Sequence, residues 1–315
     1  MHSSAIHAPS KLATALLAAF LVVAGTPASA ETITISHAQG ETSFDAPPRK
    51  VICFDLASLD TLNALGVSVT GVPESKYPPT LEKFSGSDYV KVGSLFEPDL
   101  EAVNAVSADL IIVGGRSGPK YGELAKMAPT IDLSVNTQTF ITDAESNIRI
   151  LGRVFGKEKE AEEGIASLQK DIAALKAKAA GKGKGLLILT TGGKISAYGP
   201  GSRFGVLHDA YGIEPAVTSF DKGNGKSNHG QPVSFEFIMQ TNPDWLFVVD
   251  RDAAVGKEGD AAKRLLDNEL VAKTTAWQKK QVVYLDAAGW YLIGGGLDAL
   301  KGNVEQLSRA FDAAQ

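Results

Sequence analysis

The segment 142–180 limits the folds open to this chain more than any other stretch. Over 157–180, Ile165, Leu168, Ile172 and Leu175 recur at steps of three and four residues, which lays one apolar stripe along a helix of 3.6-residue period. At ~1.5 Å per residue such a helix runs about 36 Å, far enough to reach between two domains and much stiffer than an ordinary linker. Thr142-Asp143-Ala144-Glu145 resembles a capping box, Ile148, Leu151 and Val154 give the preceding turns a buried face, and Gly156 is expected to break the helix between the two parts. The expectation is a strut joining two lobes.

The flanking stretches share a grammar. Before the strut, 32–36 and 42–44 alternate polar and apolar like a small hairpin. Apolar runs at 51–54, 67–71, 90–92, 110–113 and 130–133 then read as short strands, separated by helical stretches at 58–65, 99–105 and 120–127 and by a loop at 73–79. After the strut, 186–190, 194–198, 245–249 and 281–285 read as strands, and 204–211, 233–239, part of 256–273 and 298–310 as helices. The run Leu110-Ile111-Ile112-Val113 is apolar on both faces, as a parallel strand covered by helices should be. A proline, a short helix with a polar head, then an apolar strand occurs on both sides, from Pro98 to Ile111 and from Pro232 to Phe247. Two α/β lobes follow, with an N-terminal lobe at 31–142, a linking helical segment at 143–180 and a C-terminal lobe at 181–315. Gly181-Lys182-Gly183-Lys184-Gly185 precedes its strand and lacks the closing Ser or Thr of a phosphate loop, so it reads as a helix exit.

A length of 315 residues is enough for two domains with real cores. Residues 1–30 are expected to be an export signal: Lys11 precedes an apolar run over 12–24, and Ala28-Ser29-Ala30 supplies a small-residue cleavage pattern before Glu31. The expected mature protein is soluble in the periplasm, with 30 basic against 36 acidic residues, a balance that gives no reason to expect nucleic acid. Cys53, alone and in an apolar strand, is expected to be an inert buried thiol.

Ligands of open α/β sheets bind beyond the carboxyl ends of the strands. Arg116 follows the 110–113 run, Arg251 follows the 245–249 run, and Arg203 lies in a glycine-rich loop after Tyr198. Guanidinium stays charged and offers a planar fork of donors to oxygen ligands, so three arginines at such exits in facing lobes point to an anionic, oxygen-rich ligand. His229, in a polar loop, and Tyr291, just past 281–285, bring imidazole and phenol, both able to ligate ferric iron. Two donors cannot fill an octahedron, but they complete one whose other four positions come from a chelator. Trp290 and Tyr198 offer aromatic surface beside a ring or an arginine, with core packing as the plain alternative.

With Arg116, Arg203, Arg251, the loop Ser227-Asn228-His229-Gly230 and Gly289-Trp290-Tyr291 in place, the chain resembles the periplasmic iron-siderophore binding proteins of ABC transporters, nearest the catecholate, enterobactin-type branch. The resemblance implies a bilobal class III periplasmic binding protein fold, with two Rossmann-like lobes joined by a long backbone helix. It also implies that the arginine triad surrounds a catecholate iron centre, while His229 and Tyr291 complete the iron held by a tetradentate bis-catecholate. No intrinsic cofactor is implied; ferric iron is carried as a siderophore complex. The implied partner is an inner-membrane permease with its ATPase, docked through Glu101 and Glu236, one carboxylate on each lobe. The binding protein itself is expected to be a monomer that closes only slightly on its ligand.

Other readings remain at this stage. The architecture also serves haem, cobalamin and other iron chelates. A secreted hydrolase would have to use His229 with Ser227, Asp221 or Asp252, or His208 with Asp209, and no nucleophile elbow is present, since Arg203 stands where the serine would be in Gly201-Ser202-Arg203-Phe204-Gly205. A bare-metal receptor needs several protein ligands, and only three histidines, His37, His208 and His229, lie beyond residue 30.

Overall fold

The computed structural model describes residues 1–2, 31–220, 230–257 and 259–314. Most of the expected export signal, and His229 with its neighbours from Asp221 onward, lie outside the described residues. Residues 31–315 form one compact unit.

A hairpin of β1 (Glu31–His37) and β2 (Gly40–Ala46) leads into a sheet of β3 (Val51–Cys53), β4 (Gly71–Glu74), β5 (Val90–Ser94), β6 (Leu110–Val113) and β7 (Thr130–Asp132). The order is β5-β4-β3-β6-β7 and every pairing is parallel. Strands β3 and β6 read as continuous apolar runs because each face has its own cover. Val51, Cys53, Leu110 and Ile112 pack on one side, and Ile52, Phe54, Ile111 and Val113 on the other. Burying each such side chain is worth about 1.5–3 kcal/mol. Cys53 is fully buried, and burial followed by the nearby Asp55 charge pushes its thiol well above the ordinary range.

The strand expected at 67–71 begins only at Gly71. Val67 N still donates to Leu62 O and closes the preceding helix, and the ladder then runs on through Pro73, where the register with β5 shifts between Val72 and Glu74. A bulge takes up the missing proline donor, so part of the expected loop is strand. The helices expected at 120–127 and 204–211 are shorter, Tyr121–Leu124 and Val206–Asp209.

The second sheet comprises β8 (Lys184–Thr191), β9 (Lys194–Tyr198), β10 (Glu214–Pro215), β11 (Gln231–Val233), β12 (Trp245–Asp250) and β13 (Val282–Tyr284). Its order is β11-β9-β8-β12-β13, with β10 beside the start of β8. Strands β12 and β13 are parallel to β8, while β9 returns from β8 as an antiparallel hairpin and β11 pairs antiparallel to it. This sheet therefore repeats the first only in its β8-β12-β13 half.

The linking segment is a doubled-back pair of helices. Phe140–Phe155 ends at Gly156, whose φ of 64° is left-handed, and Glu158–Ala179 starts two residues later. Ala144 packs in the core of the second sheet and Ile148, Leu151 and Val154 in that of the first. The next helix reverses this, with Ala161 and Ile165 in the first core and Leu168, Ile172, Leu175 and Ala179 in the second. The break expected at Gly156 is present, and it turns the chain around. The terminal helix Leu297–Ala313 also crosses, with Leu297 and Ala299 in the first core and Leu300, Val304, Leu307 and Phe311 in the second. Its first turn is capped from the other sheet's side: Asp60 Oδ2, on the helix Leu56–Ala64, accepts from Asp298 N at 2.9 Å and Ala299 N at 3.0 Å, and Thr61 Oγ1 accepts from Leu297 N at 3.2 Å.

Candidate binding cleft

Three strand exits deliver the arginines. Arg116 follows β6 in Gly114-Gly115-Arg116-Ser117, a turn tied by Gly114 N donating to Ser117 Oγ at 3.1 Å and by Gly115 N donating to Ser134 Oγ at 2.9 Å. Arg203 follows β9 in a loop held by Gly201 N donating to Asp209 Oδ2 at 2.7 Å and by Ser202 Oγ donating to Gly199 O at 2.6 Å. Arg251 opens the helix after β12, capped by Asp250, which accepts from Asp252 N and Ala253 N.

All three converge on Tyr291, the last residue of the short helix Ala287–Tyr291. Arg116 Nη2 and Arg203 Nη2 donate to its carbonyl oxygen at 2.7 and 2.8 Å, and Arg251 Nε donates to its phenol oxygen at 2.9 Å. The guanidinium carbons lie 5.1, 4.3 and 5.6 Å from the ring centroid, in the same order. Each arginine is half-buried. Burial, then the neighbouring Arg203 charge, lowers the Arg116 pKa from its ordinary value, although a guanidinium remains cationic. Burial opposes ionisation of the Tyr291 phenol, but the Arg251 hydrogen bond and the Arg203 charge outweigh it and bring its pKa below 10.0. The cluster gathers positive charge around a phenol whose ionisation it favours.

Arg116, Arg203 and Tyr291 line a cleft of about 600 Å³ between the two sheets, within the range of small-molecule sites. Asp55, Thr61, Phe96, Leu133 and Thr137 line it from the first side, and Phe204 and Tyr291 from the second. Trp290 reaches it only from below. It is 4% exposed and edge-on to Tyr211 at 6.1 Å, so it supports Tyr291 from the core and offers little ligand surface. Tyr198, edge-on to Phe204 and buried, is likewise a core residue whose phenol burial pushes up to about 12. Glu101 and Glu236 are both exposed, each in the first turn of a short helix on its own sheet's side.

Of the rival catalytic pairings, the described members His208, Asp209 and Asp252 have structural work instead. The ring nitrogen Nδ1 of His208 lies 2.8 Å from Ile213 O, and burial lowers its pKa. Asp252 accepts from Gly192 N at 2.8 Å and from Lys257 Nζ at 3.0 Å. Among the described residues no group of three or more His, Cys, Asp or Glu is gathered to hold a metal ion, and no described helix is long and apolar enough to cross a membrane. Sequence reasoning passed over Phe96, Asp55 and Thr191, whose hydroxyl accepts from Arg251 Nη1 at 3.3 Å. None carries a motif, and only the strand-exit rule applied to every strand would have flagged them.

A family model described as periplasmic binding protein matches residues 51–288. The chain belongs to this periplasmic binding protein family. Its relatives include the petrobactin-binding protein YclQ of Bacillus subtilis, 40% identical over 288 residues that cover 90% of this chain and 89% of the relative. The ferric-anguibactin-binding protein FatB of Vibrio anguillarum is 29% identical, covering 89% and 88%. The crystal structure of YclQ matches with a TM-score of 0.84 at 39% identity, covering 90% of this chain and 99% of that one. That of the periplasmic catecholate-siderophore binding protein VctP of Vibrio cholerae matches with a TM-score of 0.82 at 31% identity, covering 90% and 100%. The fold is thus the class III periplasmic binding protein fold, and the family consists of binding proteins, not enzymes.

Proposed function

We propose that this protein is the periplasmic solute-binding component of an ABC importer, capturing a ferric catecholate siderophore and handing it to an inner-membrane permease with its ATPase. The observation that carries this reading is the convergence of Arg116, Arg203 and Arg251 on Tyr291. A ferric ion bound by three doubly deprotonated catechols bears three net negative charges, and bound by two it bears one. Both are anionic oxygen clusters suited to guanidinium donors. YclQ and VctP, named for petrobactin and catecholate siderophores, point the same way.

Within this reading the bis-catecholate form fits Tyr291 best. Its phenol oxygen already accepts from Arg251 Nε, and as phenolate it keeps further lone pairs for iron, which two catechols leave with two open positions. His229 is the proposed second donor. On ligand entry, Arg116 and Arg203 turn their forks from the Tyr291 carbonyl to catecholate oxygens, so the anionic cargo offsets part of the positive charge gathered there. Glu101 and Glu236 are the proposed permease contacts, and the working protein is a monomer.

Calorimetry with a ferric bis-catecholate tests the reading. Submicromolar binding without turnover, accompanied by quenching of tryptophan fluorescence, is expected; no heat and unchanged fluorescence with bis- and tris-catecholates alike overturn it.

A further inference from the structure

The cleft also has apolar lining on the side of the first sheet. Phe96, 58% exposed, is the most exposed large apolar side chain among the described residues from 31 onward, and it lines the cleft together with exposed Pro119. Single exposed apolar residues are ordinary on protein surfaces; what sets Phe96 apart is how firmly its turn is held at a ligand cleft. Ser94 N donates to Glu97 O at 2.8 Å, while Ser94 Oγ accepts from Phe96 N at 3.2 Å and Glu97 N at 3.0 Å. Gly93, at φ 99°, bridges to Pro98, and a Cβ there would lie 2.5 Å from Glu97 O and 2.8 Å from Pro98 C, so the turn tolerates no side chain at that point. Glu97 also pairs with Lys120 Nζ at 2.5 Å. That ion pair ties the turn to the segment carrying Arg116 and Pro119. The backbone that carries the ring is thus held before any ligand arrives, which lowers the ordering cost of a contact.

We propose that Phe96 and Pro119 form an aryl subsite on the rim of the first lobe, receiving the ring face of a cargo aryl group that lies outside the arginine cluster. It rests on reading the cleft as a ferric catecholate site. Arg116, Arg203, Arg251 and Tyr291 read the charged iron centre, and the Phe96 rim reads how the rings are displayed around it. Two ligands with the same iron centre but different ring placement are then bound unequally.

The test titrates wild type, Phe96→Ala and Phe96→Tyr with the ferric complex of a linear bis-catecholate bearing two 2,3-dihydroxybenzoyl groups. An aromatic pair adds enough for a loss of about tenfold in affinity on removing the ring, so Phe96→Ala is expected to bind about tenfold more weakly and Phe96→Tyr within about twofold of wild type. Unchanged affinity in Phe96→Ala overturns the subsite while leaving the catecholate reading standing. An equal loss in both variants also overturns it, because tyrosine keeps the ring. Unchanged binding with reduced uptake in vesicles reconstituted with the permease would assign the rim to docking and overturn the subsite. Failure of wild type to bind any ferric catecholate overturns both readings together.

Discussion

Asp60 and Ala299 are joined by a hydrogen bond of 3.0 Å from the Ala299 amide to Asp60 Oδ2, although they stand 239 residues apart in the chain. The carboxylate is fully buried, and its other oxygen, Oδ1, has no partner among the described residues. Burial therefore outweighs the two helix amides, with the Asp298 charge acting in the same direction as burial, and the Asp60 pKa rises from 3.8 to about 7.

The sign of the pH effect follows. Between about pH 4 and 7 the folded state holds a proton on Asp60 that the unfolded chain has released, so stability from this group is fully present below pH 4 and is lost as pH rises through 7. The full span is on the order of 4 kcal/mol. Chemical denaturation of wild type and Asp60→Asn across this range should show the wild-type-minus-variant difference falling as pH rises. A flat difference would mean that Asp60 titrates as an ordinary carboxylate.

Gly296 is held by space, with an unstrained backbone at φ −79°. A Cβ there would come 2.6 Å from Asp60 Cβ and 2.8 Å from Ala57 O. Gly296→Ala is expected to cost about 1–3 kcal/mol in urea unfolding and to remove much of the Asp60 pH dependence. Wild-type stability in this variant would show that the helix start shifts freely.

Tyr291 is the tyrosine whose titration the arginines pull down, whereas burial pushes Tyr77, Tyr198, Tyr211 and Tyr284 up. Ultraviolet difference titration should show an early tyrosinate step that vanishes in Tyr291→Phe and moves up in Arg251→Ala. With ferric bis-catecholate bound, Tyr291→Phe should also shift the ligand-to-metal absorption band and weaken binding about tenfold or more, while a hexadentate tris-catecholate is affected less. An identical band in the variant excludes Tyr291 as an iron donor.

Glu101 and Glu236 are exposed. Replacing either with Gln should leave calorimetric binding within about twofold and stability within about 0.5 kcal/mol, yet reduce uptake into vesicles carrying the permease. Equal uptake removes them from docking.

Much of the scaffold was legible where one force acts alone. Leu110–Val113 and Trp245–Asp250 announce buried parallel strands because both faces are apolar, and the Ile165–Leu175 stripe announces its helix. That the three arginines and Tyr291 sit near strand ends is legible because the rule for strand exits needs only local order. What escaped depends on partners remote in sequence. The antiparallel return of β9 from β8 is the exception, because the two-residue Gly192-Gly193 turn that sets it lies between the strands and marks a hairpin in the sequence itself. Pro73 hid a strand because the bulge that tolerates it is a property of the pairing with β5. Asp60 gave no signal because the amides that it caps are 238 and 239 residues away.

The three helices that cross between the sheets bear on how the protein can be used as a biosensor. A pair of fluorophores placed on opposite lobes should register little change in distance, because Phe140–Phe155, Glu158–Ala179 and Leu297–Ala313 each anchor in both cores. Nor should the chain be divisible into complementing halves, since a cut between the lobes would leave each fragment with a core lacking part of its lining. On the proposed function, the useful reporter position is local, beside Tyr291, where an anionic cargo would change the charge around a single ring.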